Sequence, residues 1–557
     1  MDSKLTIKQL FNDEEIHFRI PTYQRAYSWG KTQIEQFLDD IKEQNHEKKY
    51  FFGHFLFERE NEHSYWIVDG QQRLTTIVIF ISCLIAELEK RDTHVETWRI
   101  RELYIKFDRN YKFETVNYDN LFFQQAVLEN KTETAATSSA KRILNAKEYF
   151  SDEIEKADTD TLLKWKSIID KAETTNFMIE GPDARLQATQ IFAFQNDRGK
   201  KLSTLEKLKA YLMHKLYAVS DSKIAESQIR NIEELFSEIY RLTERINICD
   251  EDEVLRFHTS AYLSAWETPL DSVKKKIDNI NDNKEKEEWI LSFASNLKES
   301  FAHIEEIEKK EINGNSSVAD ILILNRNDAI PFLLKMYHFH YADSSLLYCF
   351  AGKLEKIFFK LLYTTEDHRT NRIPELVLKY EGNTEELERQ LDYYNEHGFQ
   401  PWWRFNASCK SYFTTFKYHY HKSTRYVLWK YENFLREQNR TRLMTASEFK
   451  NKCSKKNLEN TLDHITPQNP SFTEYSQEFR ENCLNNIGNL TLMVWGDNSE
   501  KRNKNPVDEV SLYDSEWYSH KEIRDVLNDK KQWADQEINE RAERIIEFII
   551  KQYGLEK

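Results

Sequence analysis

Asp463 and His464 stand side by side in LDHITPQ. A carboxylate beside an imidazole suits metal-assisted hydrolysis of a phosphodiester. The carboxylate holds a hard divalent cation, and the neutral imidazole takes a proton from water. Neighbours on a strand point to opposite faces, but at a strand end or bulge they can converge on one site. Downstream, NLTLMVW (Asn489–Trp495) reads as a strand. Gly496-Asp497 breaks it, and Asn498-Ser499-Glu500-Lys501 begins a helix capped near Asp497 or Asn498. The chain order is thus a strand end with Asp-His, a strand with Asn489, then a helix with Asn498. Lys501, Arg502 and Lys504 either neutralise backbone phosphates or form a solvated helix face. Asn503 and Asn505 are rival oxygen donors to Asn498.

A second group of polar residues lies in IPTYQRAYSW (Ile20–Trp29), VDGQQR (Val68–Arg73) and FQNDRGKKLSTLEKLKA (Phe194–Ala210). DGQQR follows a strand and opens a helix. Such a junction offers unpaired backbone N–H groups, with Gly70 at the turn, and the positive end of a helix dipole. Arg73 in the first turn adds a bidentate phosphate ligand. Gln71 and Gln72 can bond a phosphate or a base, and Asp69 can position a metal ion or an attacking water. Arg25 and Arg198 can close the site from other loops. No GxxxxGK[ST] occurs, so this is not a Walker P-loop. The structural alternative assigns Tyr27, Trp29, Phe192 and Phe194 to the core and makes Asn196–Gly199 a turn.

The elements that must position these side chains follow from apolar periodicity. Ile16–Ile20 predicts a short strand ended by Pro21, and Lys31–Glu43 an amphipathic helix. Tyr50–Glu58 and Tyr65–Val68 predict strands joined by a polar turn. The apolar run from Leu74 to Leu88 predicts a buried helix, too short and interrupted to span a bilayer. ESQIRNIEELFSEIYRL and SLLYCFAGKLEKIFFKLLY carry helical spacing, and Gln536–Gln552 predicts a final helix. The expected fold is α+β and predominantly helical, in three regions: 1–215, a helical connector over 216–390, and 391–557.

With 557 residues, 40% of them hydrophobic, the chain has material for real cores, and 12 Gly and 9 Pro leave little for flexible linkers. Net charge is −14, so any nucleic-acid contact requires local positive charge. Pro401–Arg442 supplies a candidate, with nine Lys/Arg, two Glu and interleaved aromatics. Most of those rings are expected in the core, with part of the charge facing DNA. The six cysteines form no CxxC pair, and the first residues lack a signal-peptide core. A cytoplasmic protein with no membrane partner is expected.

The segment from Leu462 to Pro506 resembles an HNH (His-Me finger) nuclease of the ββα-metal type, in the branch found at the C-terminus of GmrSD-type modification-dependent restriction enzymes. That resemblance implies His464 as general base, Asp463 and Asn498 as ligands of Mg2+ or Mn2+, and Asn489 orienting His464 or its loop. The downstream pattern continues in RNKNP and in Trp533, Ile538 and Arg541. The three N-terminal motifs resemble the N-terminal domain of the same family, related to ParB and sulfiredoxin folds. The match falls on Tyr23, Gln24, Arg25, Tyr27, Trp29, Asp69, Gly70, Gln71, Gln72, Arg73, Asn196, Arg198, Gly199, Leu202, Leu208 and Lys209. It implies that this domain handles a nucleoside triphosphate that controls cleavage. The expected function is an NTP-regulated, modification-dependent DNA endonuclease (type IV) of phage defence, with modified phage DNA as partner. With one finger per chain, double-strand cutting points to a homodimer or to paired nicks. The alternatives are a nonspecific nicking or RNA-cutting effector, and a nucleotide-gated DNA-binding protein with an inactive finger.

Overall fold

A computed structural model describes residues 3–21, 24–44, 50–91, 94–180, 203–220, 222–324, 326–341, 343–364, 371–399, 404–420, 423–453, 462–513 and 516–556. The described chain is α+β and predominantly helical. It divides into two compact units, Met1–Arg256 with Glu267–Ala302, and Phe257–Trp266 with His303–Lys557. Residues 216–390, expected as a connecting domain, are shared between the two.

The first unit holds β1 (Lys4–Thr6), β2 (His17–Arg19), α1 (Lys31–Glu43), β3 (Phe51–Arg59), β4 (Ser64–Asp69), α2 (Gln71–Lys90), β5 (Phe113–Glu114), α3 (Ser138–Lys156) and β6 (Glu173–Ile179). Among the described residues the strands form one mixed sheet, ordered β1-β6-β3-β4-β2-β5. β3 is antiparallel to β4 and parallel to β6. α1 buries the expected stripe of Ile34, Phe37, Leu38 and Ile41. β4 turns directly into α2 at Gly70, whose φ is 91°. A Cβ there would lie 2.3 Å from the Phe55 ring, so only glycine lets the chain turn this close to β3. α2 is long and apolar enough to cross a bilayer, but 78% of that stretch is buried inside the fold. Phe80 of α2 packs edge-on against Phe37 of α1 and Phe150 of α3, at 5.9 and 5.3 Å between centroids. Such pairs contribute about 0.5–1.5 kcal/mol each beyond burial. This unit also holds α4 (Thr204–Val219), α5 (Ser222–Thr243), the first turns of α6 (Glu251–Tyr262), the helix Pro269–Asp278 and most of the helix Asn283–Glu311.

The second unit is built on helices including α7 (Ser344–Leu362) and α8 (Thr424–Gln438). Phe405, Phe413, Tyr426, Trp429 and Tyr431 of the basic aromatic stretch are buried, as expected for most of its rings. Phe416, Tyr418 and Tyr420 remain exposed. Trp402 and Trp403 lie outside the described residues. The same unit carries β7 (Leu462–His464), β8 (Leu490–Leu492), α9 (Trp495–Lys501), α10 (Tyr518–Lys530) and α11 (Asp535–Gln552). β7 and β8 are antiparallel, with His464 opposite Leu490 and Asp463 opposite Thr491.

Two boundaries differ from expectation. β8 starts at Leu490 because Ile487–Asn489 forms a 3₁₀ turn, capped by the Asn486 side chain accepting from Gly488 N. α9 starts at Trp495, so Gly496 and Asp497 sit in its first turn and do not break the chain direction. An acidic residue in a first turn is favoured by the helix dipole, and that outweighs the glycine.

α11 fastens this finger. A Cβ on Gly488 would meet Ile538 O at 1.9 Å, so the turn lies directly against the helix backbone. The fully buried Arg541 donates through one terminal nitrogen to Gly488 O at 3.0 Å and Leu490 O at 2.8 Å. His520 of α10 is hydrogen-bonded to Leu492 O at 2.6 Å and holds the end of β8.

Candidate active site

β7 places Asp463 toward α9, where its Oδ2 accepts from Lys501 Nζ at 2.6 Å. Lys501 also donates to the backbone carbonyl of His464. Lys501 is completely buried, which overturns both of its expected roles: it neither contacts a phosphate nor forms a solvated face. Its helical position explains why. Three residues beyond Asn498, it shares the face of α9 that packs on β7. Burial pushes the Asp463 carboxyl above its ordinary range, while the ammonium of Lys501 pulls it back down.

His464 ends β7, and its ring is held from two sides. Its Nε2 is hydrogen-bonded to Asn485 Oδ1 at 2.9 Å. The Gln468 amide nitrogen lies 3.4 Å from the same nitrogen, a contact between two donors once Nε2 donates to Asn485. The Tyr420 ring stacks on the imidazole at 5.3 Å and 21°. Tyr420 is brought there by its neighbour His419, whose backbone N donates to Asn485 O at 2.8 Å and whose Nδ1 accepts from Ile487 N at 3.1 Å. Burial lowers the His464 pKa below its ordinary value, which keeps the imidazole neutral near pH 7. An acceptor at Asn485 Oδ1 puts the ring proton on Nε2 and leaves Nδ1 as the basic atom.

Asn489 lies at the 3₁₀ turn before β8, fully buried. Its Oδ1 accepts from Thr466 N at 2.9 Å, and its Nδ2 donates to Thr466 O at 3.1 Å and Leu484 O at 2.9 Å. It thus clamps the loop that leaves His464. Asn498 sits one turn before Lys501 on α9, half-buried. Asn503 and Asn505 are engaged in the following turns: Asn503 O accepts from Ser471, and Asn505 Oδ1 from Val507 N. Lys504 pairs with Glu509 at 2.8 Å. Sequence reasoning did not find Asn485, His419 or Tyr420 as supports of His464. Nothing in their type or spacing marks them, because each acts through a contact across the fold.

In the first unit the polar hooks of the two N-terminal motifs clasp each other. Gln24 Nε2 donates to Val68 O at 3.0 Å, and Gln71 Nε2 approaches Gln24 Oε1 at 3.4 Å. Gln72 accepts from Ser28 N at 2.7 Å and donates to Ala26 O at 3.1 Å. Tyr27, buried as the structural reading expected, bonds Thr76 at 2.8 Å. Arg73 reaches across β3 to the carbonyls of His54 and Phe52, at 2.6 and 3.5 Å, over the Phe55 ring and 3.7 Å from Asp69. Tyr23, Asn196 and Arg198 lie outside the described residues.

Arg25 faces the other way, pairing with Glu206 at 3.1 Å and lining a pocket of about 450 Å³. Three helices begin at that pocket: α3, α4 and α6. Glu244 accepts from Ser139 N at 2.7 Å, and Asp252 from Thr204 N and Leu205 N at 2.9 Å each. Arg142 and the serines Ser28, Ser138 and Ser203 add donors to the walls. The buried Tyr240 hydroxyl, on the same wall, has no hydrogen-bond partner. Of the residues expected to hold a nucleotide, Arg25 lines this pocket, whereas Asp69, Gly70, Gln71, Gln72 and Arg73 do not.

A family model described as the N-terminal domain of GmrSD restriction endonuclease matches residues 7–213, and one described as the C-terminal domain of GmrSD restriction endonucleases matches residues 403–548. These matches take in β7, β8 and α9 in one unit and the clasped motifs in the other, and the class they define is a restriction endonuclease. The chain belongs to the GmrSD restriction endonuclease family. No curated protein matches it.

Proposed function

We propose that the chain is an NTP-regulated, modification-dependent endonuclease that cuts invading phage DNA inside the cell, with the β7-β8-α9 finger as an HNH nuclease. The observation that carries this reading is the supported histidine. His464 is neutral, stacked by Tyr420, bonded at Nε2 to Asn485, and adjacent to a buried carboxylate. Its Nδ1 takes a proton from water as the water oxygen bonds phosphorus. The P–O bond to the leaving strand breaks, and that oxygen is protonated from solvent. Asn489 keeps the loop after His464 in register for this transfer.

Asp463 and Asn498 offer the oxygen donors that Mg2+ or Mn2+ prefers. Among the described residues no three His, Cys, Asp or Glu side chains gather into a fuller site. Two protein ligands, with water and phosphate completing the shell, fit Mg2+, which usually keeps several waters. An ion held by Asp463 and Asn498 would supply electrostatic stabilisation of the charge on the phosphate and the leaving oxygen. Lys501 opposes the burial that favours a neutral Asp463 and holds its carboxyl toward α9.

The nucleotide belongs in the pocket of the first unit. Arg25 and Arg142 suit phosphates, and because the carboxylates Glu244, Asp250, Glu251 and Asp252 outnumber them, the nucleotide must enter with its divalent cation, which those carboxylates suit. The exposed Phe416, Tyr418 and Tyr420, with Lys417 among them, offer DNA an approach to His464.

The test incubates purified protein with Mg2+ and paired phage DNAs, modified and unmodified, with and without each NTP and beside an RNA control. Cutting confined to modified DNA and altered by one NTP is the expected result. Equal cutting of all nucleic acids, indifferent to NTP, sinks the regulated reading and leaves a nonspecific nuclease.

A further inference from the structure

A second pocket, of about 380 Å³, opens on the finger itself. Thr466, two residues past His464, forms part of its wall, and Asn505 and Pro506 close it from just beyond α9. Ser471 donates through both its backbone N and its hydroxyl to Asn503 O, each at 3.0 Å, so the two sides are tied together.

The lining is aromatic: Phe472, Tyr475, Phe479 and Trp533. Phe472 is exposed, whereas Trp533 is buried and its indole N–H has no hydrogen-bond partner among the described residues. The Trp533 carbonyl accepts from the Thr466 hydroxyl at 2.8 Å, which ties the Trp533 backbone to the loop leaving the strand. Charged groups on the lining are Glu474, Asp535 and Lys531, so carboxylates outnumber the cation and a phosphate is disfavoured. Ring faces combined with carboxylate acceptors suit a nucleobase. Its plane stacks on an aromatic side chain, and its amino hydrogens are accepted by Asp or Glu. The volume equals that of about a dozen waters at ~30 Å³ each, room for a base with a substituent. Two residues span at most about 7 Å, and the chain bends after β7, so Thr466 stays close to His464 and a phosphate at His464 and a base in this pocket can belong to adjoining positions of one strand.

We propose that this pocket receives a DNA base with an exocyclic amino group, extruded from the duplex beside the scissile phosphate. The inference rests on reading the finger as a DNA nuclease. Extrusion costs less at a mismatch, where pairing is already lost.

The experiment uses full-length H464A protein, with Mg2+, and short duplexes that are fully paired or carry one mismatched adenine or cytosine at successive positions. One mismatch register is expected to tighten binding about fivefold or more, the low end of base–aromatic stacking. F472A, at an exposed position, is expected to reduce that preference to about twofold or less, because it weakens binding of the mismatched duplex more than binding of the paired one. Equal affinity for paired and mismatched duplexes overturns the proposal, as does a preference that survives in both F472A and Y475A. If wild-type protein cuts DNA while no register is preferred, only the base pocket fails. If wild-type protein neither binds nor cuts DNA, the nuclease reading itself fails.

Discussion

The Lys501 ammonium lies 2.6 Å from the Asp463 carboxylate, with Lys501 fully buried and Asp463 nearly so. A buried charge left without its partner typically costs about 3–5 kcal/mol. K501M is therefore expected to lower the unfolding free energy by about that amount in urea titrations. Without the ammonium, Asp463 has a folded pKa raised further above its unfolded value, so the loss deepens as pH rises above the ordinary carboxylate pKa. Added Mn2+ should recover stability in K501M, by about 2.7 kcal/mol at a hundredfold excess over Kd. A K501M protein indifferent to Mn2+ would remove Asp463 from the cation site.

H464A should lower DNA cleavage by about 10²–10⁴-fold, the usual contribution of a general base, and leave any NTP turnover unchanged. Cleavage that persists in H464A assigns the base elsewhere.

N485A frees His464 Nε2 from its hydrogen bond. Losing such an orienting partner typically costs about 10–100-fold in activity. The fall should appear in kcat with KM for DNA nearly unchanged, because Asn485 acts through the histidine. A change confined to KM would instead make Asn485 a DNA contact.

His419 gives the second unit an acid-sensitive joint. Its Nδ1 accepts from Ile487 N, and burial pushes its pKa down to about 4 from an unfolded value near 6.5. The unfolded chain binds the proton first as pH falls, so this group's contribution is present above 6.5 and lost between 6.5 and 4. The full effect is on the order of 3 kcal/mol at 1.36 kcal/mol per pH unit. Denaturant unfolding should show stability rising with pH across that window, with a shallower slope in H419N. An unchanged slope in the variant would place the sensitivity in other histidines.

Gly53 adopts φ 121°, and a Cβ there would lie 1.9 Å from a terminal nitrogen of Arg73. G53A should cost at least about 1–3 kcal/mol in backbone strain alone and dislodge Arg73 from β3. A thermal scan of G53A matching wild type would show that the Arg73 bridge to β3 is dispensable.

Much of the candidate site was legible because its chemistry is local. Asp463, His464 and Asn489 announce themselves by type and order, and the structure puts Asn489 in contact with the loop after His464. The pattern of Trp533, Ile538 and Arg541 also acquires a physical meaning, since each touches the finger through a backbone or side-chain contact. Less was legible where long-range contacts decide. Lys501 looked solvated among its charged neighbours, yet its spacing from Asn498 was a signal that both share the packed face of α9. In the first unit, DGQQR offered the right groups for a phosphate, but the folded chain engages Gln72 and Arg73 with backbone of neighbouring loops. Arg142, Tyr240 and Asp252 reach the pocket from helices far apart in sequence, and no motif marks them. The start of α9 shifted because a Gly-Asp pair serves a first helical turn as well as it serves a break.

The seat of Gly488 and Leu490 on Ile538 and Arg541 has a temporal consequence. Arg541 is synthesised 40 positions after Lys501, the last residue of the β7-β8-α9 segment. A nascent chain still lacking α11 therefore carries Asp463 and His464 without the contacts that seat the start of β8.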